Sequence, residues 1–112
     1  MISTHVLDTA RGRPAAGVPV LLERADGSEG DVVVARATTD TDGRVRELVP
    51  SGAALAAGHY RLTFDTGAYF ETQGVEGFYP RIAVLFALRE PSQHHHVPLL
   101  LSPFGYATYR GS

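Results

Sequence analysis

No cysteine occurs anywhere in the chain. That absence excludes disulfide staples, thiolate nucleophiles and Cys-based zinc sites together, so stability must come from packing, hydrogen bonding and association. A surplus of positive charge is also missing: ten basic and twelve acidic residues, interspersed, give a net charge of −2. Nucleic-acid binding needs a concentrated basic face, so no nucleic-acid partner is expected. No apolar run approaches the roughly 20 residues that span a bilayer, and no membrane partner is expected either. The opening Met-Ile-Ser-Thr-His-Val-Leu-Asp lacks the basic-then-apolar pattern of a secretion signal. With the absence of cysteine, this leads us to expect a cytoplasmic protein.

What is present fits one ordinary domain over residues 1–112. A hydrophobic fraction of 44% and a charged fraction of 20% are those of a globular chain with a core to bury. Short apolar runs recur between Gly, Pro and Asp, the spacing of an all-β domain. Strands are expected over 2–7, 18–22, 31–39, 45–49, 60–65, 81–88, 95–101 and 106–110. In the first, Ile2, Thr4 and Val6 share one face and Ser3, His5 and Leu7 the other. Residues 10–17, with Arg-Gly-Arg-Pro, and the polar stretch 25–30 read as loops, and the Ala-rich 53–57 is ambiguous. Thr41-Asp42-Gly43-Arg44 reads as a tight turn, because Asp-Gly supplies the φ > 0 conformations such turns need. The single expected helix, 66–74, has Asp65 or Thr66 to cap it. Seven or eight strands with one short helix bury their alternating faces most economically as two packed sheets, with a closed barrel as the alternative.

Ser102-Pro103-Phe104-Gly105 has the residue preferences of a type I turn. If it closes a hairpin, 102 faces 105, and counting outward Pro98 faces Tyr109, His96 faces Gly111 and His95 faces Ser112. The segment Tyr109-Arg110-Gly111-Ser112 then lies beside the triplet His94-His95-His96. Strand alternation puts His94 and His96 on one face and His95 on the other. A purification tag does not suit an internal triplet that runs into an apolar strand. A metal site is conceivable from imidazoles at i and i+2, but carboxylates to complete it are lacking nearby. A metal-free acid–base histidine is the third explanation. Taken singly, His5, Arg44 and each histidine of the triplet are more often solvated or structural than functional.

Together they form a pattern. Thr4-His5-Val6-Leu7-Asp8-Thr9, Pro14-Ala15-Ala16-Gly17-Val18-Pro19-Val20, Thr41-Asp42-Gly43-Arg44, Phe78-Tyr79-Pro80, His96-Val97-Pro98-Leu99-Leu100-Leu101-Ser102-Pro103 and Tyr109-Arg110-Gly111-Ser112 resemble, in this order, the motifs of the 5-hydroxyisourate hydrolases. These are the transthyretin-related enzymes of urate breakdown. The terminal tetrapeptide separates the enzymes from transthyretin, the hormone carrier. Two departures stand out: His95 replaces the family's usual Tyr, and Ala107 a common Ser. Both are expected to be packing adjustments.

The resemblance implies a transthyretin-like two-sheet sandwich that hydrolyses 5-hydroxyisourate to 2-oxo-4-hydroxy-4-carboxy-5-ureidoimidazoline without metal or organic cofactor. It places His5 and His96 in acid–base roles, with either as the base, and assigns Arg44 to substrate oxygens. Ser112 would orient the water or the substrate, aided by its terminal carboxylate. Tyr109 and Arg110 would shape and polarise the pocket, with backbone groups of Gly111 available for hydrogen bonding. The resemblance further implies a homotetramer, a dimer of dimers with sites between dimers. The alternatives are a non-catalytic small-ligand binding protein on the same sandwich and, more distantly, an adhesion-type module.

Overall fold

A computed structural model describes residues 1–26 and 31–112. The chain forms β1 (Ile2–Asp8), β2 (Arg13–Pro14), β3 (Pro19–Arg24), β4 (Val32–Thr38), β5 (Arg44–Val49), β6 (Gly58–Phe64), α1 (Thr66–Thr72), β7 (Ile82–Leu88), β8 (His95–Ser102) and β9 (Gly105–Thr108). One sheet runs β2-β1-β8-β9, with β5 also on β1, and the other runs β4-β3-β6-β7. The expected sandwich is therefore present, open rather than closed into a barrel. Most of the polar turn expected over 25–30 lies outside the described residues.

Alternation along the strands builds the core. Ile2 and Val6 of β1, and Val97, Leu99 and Leu101 of β8, face Val20 and Leu22 of β3, Tyr60, Leu62 and Phe64 of β6, and Ile82 and Leu88 of β7. Phe64, Leu22 and Leu62 are completely buried, and cutting a core Phe back to Ala costs about 3–5 kcal/mol. The inward positions of β1 and β7 are those the period of two anticipates.

Three details depart from the sequence reading. The loop expected over 10–17 contains β2, whose Arg13 and Pro14 pair with Asp8 and Leu7. The pairing is extended by Ala15 N–H donating to the Val6 carbonyl at 2.9 Å. A proline is tolerated on such a sheet margin because no ladder donor is required of it. The helix stops at Thr72 rather than 74, capped at its start by Asp65, whose carboxylate accepts the Ala68 N–H at 3.1 Å. Tyr69 of this helix donates its hydroxyl to the buried Asp8 carboxylate at 2.8 Å, tying α1 to β1. The last strand ends at Thr108 rather than 110.

Most pairings are antiparallel, but β1 and β8 lie parallel, with Ser3 opposite His96 and His5 opposite Pro98. This central pairing joins segments more than ninety residues apart and places the first strand of the chain beside the histidine strand.

Candidate active site

The outward face of the five-stranded sheet collects the polar residues that its inward face rejects. Ser3 and His5 alternate with the buried Ile2, Thr4 and Val6 on β1. His96 alternates with the buried His95 and Val97 on β8. Parallel register then sets Ser3 directly beside His96, and antiparallel register with β5 sets His5 beside Arg44.

Arg44 is delivered by a turn. The Asp40 carboxylate accepts the backbone N–H of Asp42 at 2.9 Å and of Arg44 at 3.0 Å, the Asx-type closure that makes Asp a turn former. These N–H donors, that of Arg44 foremost, hold the Asp40 carboxyl below its usual pKa. Gly43 follows with φ +73°, and a Cβ there would lie 2.4 Å from the Val6 carbonyl oxygen. Without a side chain, its carbonyl approaches β1 and accepts the Val6 N–H at 2.7 Å. The turn thus docks one residue from His5. Among the described residues Arg44 makes no ion pair, whereas Arg46 meets Asp42 at 3.4 Å.

The hairpin at Ser102–Gly105 returns the chain in the register expected, Ser102 opposite Gly105 and Leu99 opposite Thr108. The ladder then breaks at Pro98, which has no N–H to offer a partner across from it. The Thr108 hydroxyl donates to the Pro98 carbonyl at 2.7 Å instead. Pairing resumes as an isolated bridge between His96 and Gly111, with Gly111 N–H donating to the His96 carbonyl at 2.8 Å. A Cβ on Gly111 would sit 2.5 Å from the Cδ2 edge of the His96 ring. Glycine is required there because the imidazole occupies the side-chain space.

A hollow of about 180 Å³ opens between these elements, lined by Ser3, Thr4, Arg44, Arg46, His94, His96 and Ser112. His5 adjoins it on the same sheet face, beside Arg44. The structure therefore brings Arg44, His96 and Ser112 around one space, with His5 at its side and Gly111 against the His96 ring. Tyr109 and Arg110 do not line it. They leave the sheet where Pro98 breaks the ladder and line a larger groove of about 530 Å³ together with residues of β7 and with His95 and His96. Arg110 there donates to the Gln93 side chain at 3.1 Å. A hollow of about 540 Å³ on the other sheet, beside Arg36, Asp65 and Arg81, has no histidine. Size does not select the site; the convergence of titratable and donor groups does.

Burial pulls the His96 pKa below its ordinary 6.5, and the nearby charges of His94, Arg44 and His5 pull the same way, against a smaller opposing contribution from Ser3. His95 is 5% exposed, points inward and is likewise lowered, first by burial. Its Nδ1 lies 3.0 Å from the Gln93 carbonyl, so it is a satisfied core residue. Sequence reasoning did not single out Ser3 or Arg46. Ser3 lay on the same strand face as His5, but only the parallel β1/β8 pairing brings it to His96. Among the described residues no three side chains of His, Asp or Glu converge as a metal site.

The chain is a transthyretin-like two-sheet sandwich with His5, His94, His96 and Arg44 on one sheet face, Arg44 making no ion pair among the described residues. The chain belongs to the HIUase/Transthyretin family, which matches it over residues 2–111. It is 46% identical over 112 residues to a 5-hydroxyisourate hydrolase of Salmonella dublin, covering 100% of this chain and 81% of that protein. The structure of Klebsiella pneumoniae 5-hydroxyisourate hydrolase is similar at TM-score 0.83 and 40% identity, covering 99% of this chain and 92% of that one. Sea bream transthyretin in complex with thyroxine is similar at TM-score 0.91 and 32% identity, covering 98% and 93%. Backbone likeness thus spans a hydrolase and a transthyretin bound to thyroxine, and the side chains must decide between them.

Proposed function

We propose that this protein hydrolyses 5-hydroxyisourate to 2-oxo-4-hydroxy-4-carboxy-5-ureidoimidazoline, a step of urate and purine breakdown. The observation that carries the reading is the convergence of His96, Arg44 and Ser112 on one hollow with His5 beside it. Opening a cyclic amide-type bond requires a base for the attacking water, a donor for the carbonyl oxygen and a proton for the departing nitrogen. His96 suits the base, because its lowered pKa keeps it neutral at pH 7. Its Nδ1 is engaged by Ser3 at 2.8 Å, which leaves Nε2 to meet the water. Arg44, unpaired among the described residues, offers a planar fork of donors to substrate oxygens. His5 supplies the proton to the nitrogen, and the Ser112 hydroxyl orients water or substrate. A direct Ser112 nucleophile would need a base, an oxyanion hole and a covalent intermediate; water attack asks less of the residues present.

The same reading takes the protein as a cytoplasmic homotetramer with sites between dimers. Leu85 on edge strand β7 and Tyr106 on edge strand β9 are 64% and 44% exposed, and such edges call for cover. No metal or organic cofactor takes part, so activity survives exhaustive chelation. The deciding experiment follows freshly generated 5-hydroxyisourate, which also decays unaided, against an enzyme-free blank. Ring opening no faster than the blank removes the reading.

A further inference from the structure

The His96 imidazole is gripped on two sides, and one grip leads out of the site. Ser3 is 4% exposed, and its hydroxyl oxygen lies 2.8 Å from His96 Nδ1 and 2.6 Å from His94 Nε2. The two rings, 6.2 Å apart between centroids, are thus bridged by a single hydroxyl. His94 is exposed to solvent, whereas His96 is half-buried. The far edge of the His96 ring rests on Gly111, so the ring is held between the serine and the returning backbone.

A hydroxyl has one proton to give, so it cannot donate to both rings. If His96 Nδ1 carries a proton and donates to Ser3, then Ser3 donates to His94 Nε2. If His94 Nε2 donates to Ser3, then Ser3 donates to His96 Nδ1. The first arrangement leaves His96 Nε2 bare, as a base requires. The second puts the proton on Nε2. The tautomers of the two histidines are coupled through one serine.

We propose that Ser3 and His94 form a proton relay that sets the tautomer of His96 and carries a proton from the active site to bulk water. This rests on the hydrolytic reading above. Hydrolysis of a cyclic amide-type bond gives a carboxylic acid, which is ionised at neutral pH, so one proton must leave the site in each turnover. As the water oxygen bonds to the carbonyl carbon, its proton goes to His96 Nε2. The Nδ1 proton passes to Ser3 Oγ while the Ser3 proton passes to His94 Nε2, and His94 releases its Nδ1 proton to solvent. The departing nitrogen takes its proton from His5, which the proton of the new carboxyl group replaces, and the ring-opened product leaves as a carboxylate. Once the hollow is empty, His96 Nε2 gives its proton to entering water while a solvent proton returns through His94 and Ser3 to His96 Nδ1, which restores the bare Nε2 and leaves one proton in solvent per turnover. Ser3 and His94 are positioning residues in this scheme; they act through His96. The groups facing His96 that also bear on its charge are His94 on its own strand, His5 on β1 and Arg44 on β5.

The test has two arms. In the first, ¹⁵N NMR of the imidazoles in unliganded protein reads tautomers across pH and needs no substrate. His96 should hold a biased tautomer whose titration is felt by His94, and Ser3→Ala should abolish both bias and coupling, while Ser3→Thr keeps them. In the second, turnover is followed at low buffer concentration. Ser3→Ala and His94→Ala should each lower kcat about 10-fold or more with KM little changed, the scale of a lost proton transfer. Ser3→Thr should recover most of it, and added imidazole buffer should raise kcat of His94→Ala but not of wild type. Thermal unfolding of each variant checks the fold, and if Ser3→Ala is unstable His94→Ala carries both arms, since it too should abolish the His96 tautomer bias. Unchanged His96 tautomer and titration in Ser3→Ala, or wild-type kcat in both alanine variants, overturns the relay. Coupled tautomers in a protein that does not turn over 5-hydroxyisourate would leave the wiring standing and sink the hydrolytic reading alone.

Discussion

The two sheets bury similar inward faces and present very different outward ones. On the four-stranded sheet, Arg61 of β6 is met by Asp31 and, at 3.8 Å, by Glu23 of β3, and Arg24 meets Asp26 at 3.1 Å. Arg24 and Arg61 there are thus held by carboxylates, whereas Arg36 of β4 makes no ion pair among the described residues. On the five-stranded sheet, Arg44 has no ion-pair partner among the described residues, and His5, His94 and His96 gather around it with no Asp or Glu side chain lining the hollow. Cancelled charges keep a surface soluble and contribute little else. Uncancelled donors and bases beside a hollow are what a polar substrate would complete. The difference, more than the shared backbone, marks where chemistry belongs.

The hardest test of that contrast is to empty the five-stranded face. His96→Asn, His5→Asn and Arg44→Gln should each lower kcat/KM by about 10²-fold or more while thermal unfolding stays near wild type. Near-wild-type turnover in all three would erase the distinction between the sheets. A subtler variant keeps every functional group and moves one. Gly111→Ala puts a methyl into the space of the His96 ring, and kcat should fall about 10-fold through misplacement alone. Full activity in this variant would mean the ring relaxes freely and the Gly111 contact is incidental.

Acid should also distinguish the faces. His95 and His96 both have pKa values lowered from 6.5 by burial. Below 6.5 the unfolded chain therefore binds protons that the folded one refuses. Their contribution to stability is complete above that value and is lost as pH falls towards the folded pKa values. Unfolding midpoints measured between pH 7 and 5 should decline, and His95→Gln should flatten the decline. The acid limb of kcat/KM should lie below 6.5, and a limb above it would contradict the shift of His96. The smallest effect is expected on the opposite sheet. Arg61→Gln should leave turnover untouched and change stability by no more than about 1 kcal/mol, and a large loss of activity there would blur the comparison from the other side.

Local chemistry was legible in the sequence and long-range pairing was not. The Ser102–Gly105 turn predicted its own register as far as His96 opposite Gly111, because a short hairpin is fixed by its turn. The Asp-Gly turn before Arg44, the Asp65 cap and the inward rows of β1 and β7 were equally local. Ser3 escaped notice because its role depends on β1 lying parallel to β8, which no spacing within either strand reveals. The path of Tyr109 and Arg110 has a different cause. Pro98 belongs to β8 as expected, but its missing N–H interrupts the ladder with the chain across from it. The family motifs supplied His5, Arg44 and His96 as a set, which composition and periodicity alone left as separate and unremarkable residues.

The parallel contact of β1 with β8 has a kinetic meaning as well. The Ser3–His96 hydrogen bond spans 93 positions in sequence, and closing so long a loop is paid in chain entropy before any contact repays it. Pairings of strands nearer in sequence, such as the β8–β9 hairpin and β6 with β7, can form without it, so a partly folded chain can hold much of its sheet content and still have no hollow. Recovery of turnover during refolding should therefore lag behind recovery of β-sheet signal, and the enzyme would report on the completion of its own fold.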